Sequence, residues 1–321
     1  MAATMTSASA APKGLAGRLA AGSTLPVLTI LAVLFIIWML AAIPMNADRV
    51  SMQFDRDEIT PSWTEFVDAT WSLERAVLPT PIQVGQEIVD STYGVMMTRF
   101  RSWDRAFDRL INHQRSLLFH VRVTLEATLV GFVIGTSLGI LLAIGIVHVL
   151  TLERSLMPWV IASQTIPILA IAPIIVVLLG NLGLTGTLPK AIISAYLSFF
   201  PVTIGMVKGL RAPDPLQLDL MRTYNARPSQ TLSKLRWPSS ITFLFPSLKI
   251  GIALSLVGAI VAELPTGAQA GVGARLLAGS YYGNMPVLWA AIVAAALMAM
   301  LLIGVVTVAE RLVAAARGGR P

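Results

Sequence analysis

The amino-acid sequence predicts an all-α, polytopic membrane protein with about six transmembrane helices. Two observations support this prediction. Hydrophobic residues make up 55% of the 321-residue chain and charged residues only 13%, with a mean hydropathy of +0.73, whereas a soluble domain carries roughly 25% charged residues. In addition, six separate stretches have the roughly 20 apolar residues that a helix needs to cross the hydrocarbon core of a bilayer.

The composition also excludes several classes of function. The chain has no cysteine, so it forms no disulfide, thiolate metal site or cysteine nucleophile. Its three histidines, His113, His120 and His148, are far apart and lack the spacing of a metal-binding motif. The net charge of +7 comes without a basic-aromatic binding motif. In a membrane protein such excess Lys and Arg is typical of cytoplasmic loops, so no nucleic-acid partner is predicted.

The first apolar stretch, residues 25–44, carries no charge and ends at Pro44. Lys13 and Arg18 precede it, as basic residues precede the apolar region of a secretory signal peptide. The stretch is too long for such a region, and no clean small-residue cleavage site follows it. We therefore predict that it is a retained transmembrane helix, preceded by a disordered cytoplasmic tail at 1–24.

The remaining five apolar stretches fall between residues 124 and 311, where we predict a five-helix core in contact with membrane lipid. The first of them carries Gly131, Gly135 and Gly139, a ridge of small residues that lets helices pack closely. A cytoplasmic tail at 312–321 follows the core. The five predicted helices cover residues 127–147, 157–180, 188–207, 241–264 and 287–309.

The segment at 45–123 is a long linker between the first helix and the core. Long loops cross the membrane largely regardless of their charge, so we predict that this segment is external. Its C-terminal part, Thr98 to His120, alternates aromatic and aliphatic residues with arginine at near-helical spacing. This pattern predicts an amphipathic helix, either lying on the membrane surface or packed on the protein as a solvated helix.

The charges of the loops predict the orientation of the chain. Residues 208–237 hold six basic residues against two acidic ones, whereas the loops at 181–187 and 265–285 hold only Arg275. Basic residues accumulate on the cytoplasmic side of membrane proteins. Both termini and the 208–237 loop are therefore predicted to be cytoplasmic, in agreement with six crossings.

The loop at 208–240 is too long for a simple turn between two helices, so we expect it to have structure of its own. Residues 216–224 can form a short helix, and Asn225 tolerates the left-handed backbone that a turn needs. Residues 229–236 can form a second short helix before Pro238. This basic, partly apolar element is suited to docking a partner. An ordered loop whose side chains rest on lipid headgroups is the alternative.

Part of this loop resembles a known motif. Asp219-Leu-Met-Arg-Thr-Tyr-Asn225, followed after nine residues by Leu235-Arg-Trp-Pro238, resembles the cytoplasmic EAA loop of ATP-binding-cassette importer permeases. In that loop an acidic residue and two alanines lead to a glycine, and an I-x-L-P sequence follows. The acidic start and the terminal proline keep their spacing here. The two alanines and the glycine are replaced by Leu220, Met221 and Asn225. The aliphatic pair before the proline is replaced by Leu235 and Trp237.

Six further stretches are similar to the permease group that serves nitrate, sulfonate, taurine and thiamine-precursor (pyrimidine) importers: residues 78–81, 124–139, 163–173, 248–251, 257–263 and 271–273. The resemblance implies a type I importer permease in the bacterial cytoplasmic (inner) membrane. It also implies a second permease copy, two copies of an ABC ATPase and a periplasmic or lipid-anchored solute-binding protein as partners. The residues that would dock the ATPase are Asp219, Arg222, Thr223, Tyr224, Asn225, Ala226 and Arg227.

The chain is predicted neither to be an enzyme nor to bind a cofactor directly. No G-x-x-x-x-G-K-[ST] sequence occurs, so the partner subunit would hydrolyse the ATP. A secondary transporter or channel is the alternative, although no predicted helix carries the acidic or histidine relay of an ion-coupled carrier at its centre. The resemblance favours a small polar solute of the pyrimidine type, or an oxyanion such as sulfonate or nitrate, as the substrate.

Polar residues within the apolar helices are candidates for the solute pathway. Irregular, polar backbone is tolerated at membrane depth where it lines a cavity, although hydrogen bonding between helices is the alternative. Ser255 and Glu263 on the fifth helix are further candidates, and for Glu263 a salt bridge or a helix cap is equally open. The third helix is interrupted by three polar residues, Ser163, Gln164 and Thr165. Pro167, which follows them, removes a backbone hydrogen bond and is a candidate as well.

Overall fold

Every regular element is helical within the residues that the computed structural model describes, which are 24–97, 103–264 and 270–317. Five of the helices are long and apolar enough to cross a membrane, and a bent pair raises the number to six if it forms one span. The predicted all-α class with about six transmembrane helices is therefore confirmed. Most of the predicted tail at 1–24, the start of the predicted amphipathic helix and the end of the C-terminal tail lie outside the described residues.

The part of the chain that the structure describes divides into two compact units, one formed by residues 24–85 and one by the described residues from 86 onwards. In the first unit, α1 (Thr24–Arg56) runs through Pro44, so the helix end predicted at that proline is wrong. A proline removes one backbone hydrogen bond from a helix interior. The helix nevertheless continues, because one of its faces is buried on both sides of the proline. Ala42, Asn46 and Val50 lie along that buried face.

After α1 the chain enters α2 (Trp63–Ser72), whose start is fixed by a capping box. The Ser62 N–H donates to the Glu65 carboxylate at 2.8 Å, and the Glu65 N–H donates to the Ser62 hydroxyl at 3.4 Å. Helix α3 (Pro81–Val89) then continues through a π-helical turn towards Met97. The predicted linker therefore begins inside α1 and contains helices of its own.

The second unit holds the core helices, and it corrects the extent of the predicted amphipathic helix. That helix ends at Asn112, and His120 is buried within the next helix instead of lying on a surface. The helices in chain order are α4 (Trp103–Asn112), α5 (Leu117–His148), α6 (Leu150–Ala162), α7 (Ile168–Asn181), α8 (Thr187–Leu210), α9 (Pro215–Thr223), α10 (Pro228–Glu263), α11 (Val272–Tyr281) and α12 (Met285–Ala316).

Three further boundaries differ from the prediction. The third span is not one helix but two, α6 and α7, which meet at an angle of 101°. The short helix predicted before Pro238 is the first part of α10, because the backbone widens into a π-helical turn at Leu232–Arg236 and continues past the proline. Helix α12 extends to Ala316, so the predicted C-terminal tail begins within a helix.

Small residues let two neighbouring helices approach α8 closely. The predicted glycine ridge on α5 packs against it: a β-carbon added at Gly135 would lie 2.7 Å from the Ala195 carbonyl oxygen. On α10, a β-carbon added at Gly258 would lie 2.8 Å from the Cα atom of Ser194. Neither position has room for a side chain, because protein interiors are packed as densely as organic crystals. Helix α8 is therefore held tightly between α5 and α10.

We expect Gly135→Val to lower the free energy of unfolding by at least about 1–3 kcal/mol, because the added methyl groups would force α5 away from α8. Gly304→Val is the matched control, since Gly304 lies in the long helix α12 and nothing lies within 4 Å of a β-carbon added there. Thermal unfolding of the two purified variants in detergent measures the difference. Equal unfolding temperatures would contradict the close packing of α5 on α8.

Candidate coupling and pathway sites

The elbow, defined as residues 211–227, connects α8 to α10 through α9. Asp214 caps the start of α9 by accepting a hydrogen bond from the Leu216 N–H at 2.8 Å. Asn225 adopts the left-handed backbone that the sequence predicts, with φ of 49°. The N–H groups of Asn225 and Ala226 then donate to carbonyls in the last turn of α9 at 2.8 and 3.0 Å. The elbow is therefore a folded element with its own hydrogen bonds.

One face of the elbow exposes apolar side chains. Leu216, Leu220 and Tyr224 follow one another at helical spacing, and Tyr224 is 76% exposed. The ion pair between Asp219 and Arg222 is exposed as well, so it contributes little to stability. Apolar and aromatic groups surrounded by charges are typical of protein interaction surfaces. The structure thus brings the predicted coupling residues together on an accessible surface.

An ion pair connects the elbow to α6. Arg211 Nη2 lies 2.6 Å from Glu153 Oε2, and both side chains are partly exposed. The same helix leads directly into the polar residues that interrupt the third span. The elbow and the interruption therefore lie at opposite ends of one helix.

The interruption lies at the predicted pathway residues. Ser163, Gln164 and Thr165 form a single 3₁₀ turn between α6 and α7. Pro167 has no N–H, so the Ser163 carbonyl four residues earlier has no helical donor. The Tyr196 hydroxyl on α8 donates a hydrogen bond to that carbonyl instead. The break is therefore stabilised by a defined partner on a neighbouring helix.

The side chains at the break differ in their hydrogen bonds. The Thr165 hydroxyl donates back to the Ala162 carbonyl at 2.8 Å. The Gln164 side chain is exposed, and its amide has no hydrogen-bond partner among the described residues. An amide in an apolar medium without a partner costs several kcal/mol. Within a membrane, Gln164 therefore requires water, a polar solute or a polar group from another chain.

Glu263, at the end of α10, is fully buried at the centre of a polar group that we call the Glu263 cluster. Lys190 Nζ of α8 lies 3.1 Å from Glu263 Oε1, and the Thr124 hydroxyl of α5 lies 2.9 Å from Oε2. The Gly273 N–H of α11 donates to Oε2 at 2.9 Å. A charge so far from water is stable only with such partners. One carboxylate thus joins α5, α8, α10 and α11.

The segment at 270–273 closes over the Glu263 cluster. The Gly271 N–H donates to His120 Nδ1 at 3.0 Å, and the Val272 N–H donates to the Thr124 hydroxyl at 2.8 Å. Gly271 has φ of 128°, which favours glycine, and a β-carbon added there would collide with the buried carboxylate. The position therefore accepts only glycine.

The structure places Ser255 and Glu263 inside the helix packing, away from any open surface. Ser255 is fully buried, and its hydroxyl donates to the Thr128 carbonyl at 2.8 Å. For Glu263, the salt bridge that the sequence left open is the arrangement observed. Sequence reasoning missed Lys190, although a signal was present. A lysine in the first turn of an apolar helix needs an anion, and Glu263 at the end of another apolar helix was a candidate.

A cavity of about 1010 Å³ also lies in the second unit, beside Glu87, Arg109 and Arg275. Arg275 Nη2 lies 3.2 Å from Glu87 Oε1. Burial raises the pKa of the Glu87 carboxyl above its ordinary value, although the positive charge of Arg275 opposes the rise. Charges of both signs line this cavity, so it suits a polar occupant.

Comparison with known proteins places most of this unit in one family. The profile of the family described as "Binding-protein-dependent transport system inner membrane component" matches residues 135–317. A probable ABC transporter permease protein of Haemophilus influenzae is 29% identical over 184 residues, covering 57% of this chain and 73% of that protein. Residues 135–317, which the family profile matches, include the elbow, the break between α6 and α7, and Glu263.

Two further relatives carry the names of transported compounds. The formylaminopyrimidine transport permease protein of Halalkalibacterium halodurans is 29% identical over 197 residues, covering 61% of this chain and 68% of that protein. The riboflavin transport system permease protein of Chloroflexus aurantiacus is 30% identical over 193 residues, covering 60% of this chain and 70% of that protein.

We expect Glu263→Gln to lower the free energy of unfolding by roughly 3–5 kcal/mol, because it leaves the Lys190 ammonium buried without a counter-ion. The double variant Lys190→Met/Glu263→Gln should recover most of that loss, since it removes both charges. Asp219→Asn, in the exposed ion pair of the elbow, is the control and should change stability little. Thermal unfolding in detergent compares the variants. If Glu263→Gln matched the control, the Glu263 cluster would not hold the core together.

Proposed function

The chain belongs to the family of binding-protein-dependent transport system inner membrane components, and we propose that it forms the solute pathway of an ATP-driven importer. In this proposal the chain is the permease subunit in the bacterial inner membrane, and a second copy completes the pathway. Two copies of a separate ATPase supply the energy from the cytoplasm. A periplasmic or lipid-anchored binding protein delivers the solute from outside.

The exposed elbow is the observation on which the proposal rests. It is folded by its own hydrogen bonds, yet Leu216 and Tyr224 remain exposed on it. Exposed aromatic and aliphatic groups on a small helix fit a groove on a protein partner. The resemblance of this segment to the EAA loop of importer permeases supports a separate ATPase as that partner. The docking residues are those that the resemblance indicated, from Asp219 to Arg227.

The pathway is proposed to run beside the break between α6 and α7. Ser163, Gln164, Thr165 and Pro167 interrupt the apolar surface there, and the Gln164 amide is exposed without a protein partner. A polar solute can both accept from and donate to such an amide. Ser255 and Glu263 have a different part in this proposal. They hold together the helices that surround the pathway.

The substrate is proposed to be a small polar organic solute of the pyrimidine type. The relative named for formylaminopyrimidine transport supports this choice, and the relative named for riboflavin transport shows that the family handles different solutes. An oxyanion such as sulfonate or nitrate is the second candidate.

The topology that we propose follows from the same assignment. Both termini and the elbow face the cytoplasm, where the ATPase is, and residues 45–123 are external. The excess of basic residues in the loop at 208–237 supports this orientation. A secondary transporter or channel remains the alternative function, and it would have no use for an ATPase.

We expect the double variant Tyr224→Ala/Arg227→Ala to separate transport from ATP hydrolysis. Both side chains are exposed, so their removal should leave the fold intact. It should weaken binding of the partner ATPase at least about tenfold, which corresponds to about 1.4 kcal/mol. The measurement is uptake by proteoliposomes that contain the permease and its ATPase, together with the ATPase affinity of the permease.

Ser229→Ala is the matched control for this experiment, because Ser229 is an exposed residue just beyond the elbow. Its uptake should equal that of the unchanged protein. Normal uptake and normal ATPase binding in the double variant would overturn the assignment of the elbow. Uptake that needs no ATPase at all would favour the secondary transporter or channel.

A further inference from the structure

The first unit contains a helical hairpin that we call the N-terminal hairpin, residues 44–72. The chain runs out along α1, reverses at Glu58, which has φ of 53°, and returns along α2. Hydrogen bonds join residues of α1 to residues near the end of α2. The Asn46 side chain donates to the Thr70 carbonyl at 3.0 Å, and the Trp71 indole donates to the Met39 carbonyl at 3.2 Å. The two helices are therefore antiparallel.

Asn46 fixes this arrangement. Its side chain is fully buried and makes four hydrogen bonds to backbone of the returning chain. Its amide nitrogen donates to the Thr70 and Leu78 carbonyls, and its amide oxygen accepts from the Val77 and Leu78 N–H groups at 2.7 and 3.2 Å. A buried amide with every bond satisfied gives a unique, rigid geometry. The hairpin is thus a built element of the protein.

The tip of the hairpin extends well beyond the apolar part of α1. Residues 25–37 of α1 are almost all apolar and are exposed, as lipid contact requires. The part of α1 before Pro44 is long enough to cross the hydrocarbon core. Residues 44–56 then add about 20 Å at about 1.5 Å per residue. The chain therefore reverses direction only about 20 Å beyond Pro44. The start of α2 is therefore too far from the hydrocarbon for lipid to cover it.

Apolar side chains are nevertheless exposed at this tip. Trp63 is 74% exposed, and its ring lies against that of Phe66 with the centroids 6.3 Å apart. Ile59 and Met52 are exposed beside the turn. Tryptophan dominates the binding energy of many protein interfaces because it buries a large, rigid surface. These side chains therefore favour a protein partner.

The charge of the hairpin indicates which kind of surface fits it. The whole chain has a net charge of +7, yet residues 48–75 contain seven acidic and only three basic residues. Such a reversal of sign within one chain points to an electrostatic partner. Acidic groups repel an anionic membrane surface and attract a basic protein surface. The acidic residues nearest the turn are Asp55, Asp57, Glu58 and Glu65.

We propose that the tip of the N-terminal hairpin docks the soluble binding protein of this transport system, with Trp63 in an apolar contact that basic residues of the partner surround. The proposal rests on the proposed function, since the family description itself names a binding protein. The profile match begins at residue 135, so the hairpin precedes the part that defines the family. It supplies a second contact for the binding protein, outside the residues that the family profile matches.

The test uses the full chain with its ATPase in lipid nanodiscs, and the probe is the purified binding protein of the same transport system. Trp63→Ala should raise the dissociation constant of the binding protein at least about tenfold. Reversal of charge at the turn, Asp57→Lys/Glu58→Lys, should also weaken binding and reduce its dependence on salt. Titration at two salt concentrations measures both effects.

Two variants serve as controls. Thr64→Ala trims the exposed neighbour of Trp63, and Glu74→Lys reverses one acidic charge at an exposed residue just after the hairpin. Both should bind the binding protein as the unchanged protein does. ATP hydrolysis without the binding protein should be unaltered in all variants, because the hairpin lies outside the elbow.

The outcomes separate this inference from the proposed function. If the unchanged protein binds the binding protein and Trp63→Ala binds it equally well, the docking site is overturned and the proposed function stands. Trp63→Ala could instead disrupt the assembly of two permease copies while its affinity for the binding protein is unchanged. In that case the hairpin contacts the second permease copy, and the inference fails. If even the unchanged protein neither binds it nor responds to it by ATP hydrolysis, both are overturned.

Discussion

A carboxylate that water does not reach determines how the core of this protein is arranged. Glu263 is fully buried, and the groups that satisfy it come from α5, α8 and α11. Removing any one of them would leave a charged or polar atom unpaired in an apolar interior, which is costly. The ends of these helices are therefore fixed relative to one another. Gly135 on α5 and Gly258 on α10 also let these two helices pack closely against α8.

The elbow lies at the opposite end of the two helices that carry the ion pair. Helix α8 runs from the region of Lys190 to the elbow, and α10 runs from the elbow back to Glu263. A force on the elbow therefore acts first on α8 and α10. The break between α6 and α7 is connected to the same helices, since Tyr196 of α8 caps the Ser163 carbonyl and Arg211 pairs with Glu153 of α6. These contacts offer a physical route from the elbow to the polar break.

Much of the fold could be predicted from the sequence, because its signals are local. Apolar length indicates the spans, glycine spacing indicates the ridge on α5, and the tolerance of Asn225 for a left-handed backbone indicates the elbow. The continuation of α1 through Pro44 could not be predicted in this way. It depends on the returning chain, which buries Asn46, and that contact involves residues far apart in sequence.

The pathway residues and the Glu263 cluster were predictable only in part, because many of their contacts join residues that are far apart in sequence. The polar residues Ser163 to Thr165 and the proline that follows them indicate an irregular backbone, and the structure has a break there. The cap from Tyr196 and the pairing of Glu263 with Lys190 belong to the packing of different helices. A single sequence does not encode such pairings in a readable form. An opposite charge in a neighbouring apolar helix was the one available signal.

The importer that we propose requires that ATP bound to the partner ATPase changes access to the polar break between α6 and α7. A single cysteine tests it directly, because the chain has none of its own. In Gln164→Cys permease assembled with its ATPase, the rate of reaction with a membrane-impermeant thiol reagent should change at least about tenfold between the nucleotide-free and ATP-bound states. A cysteine at Ser62, on the N-terminal hairpin, should react at the same rate in both. Equal rates at Gln164 in the two states would contradict the account.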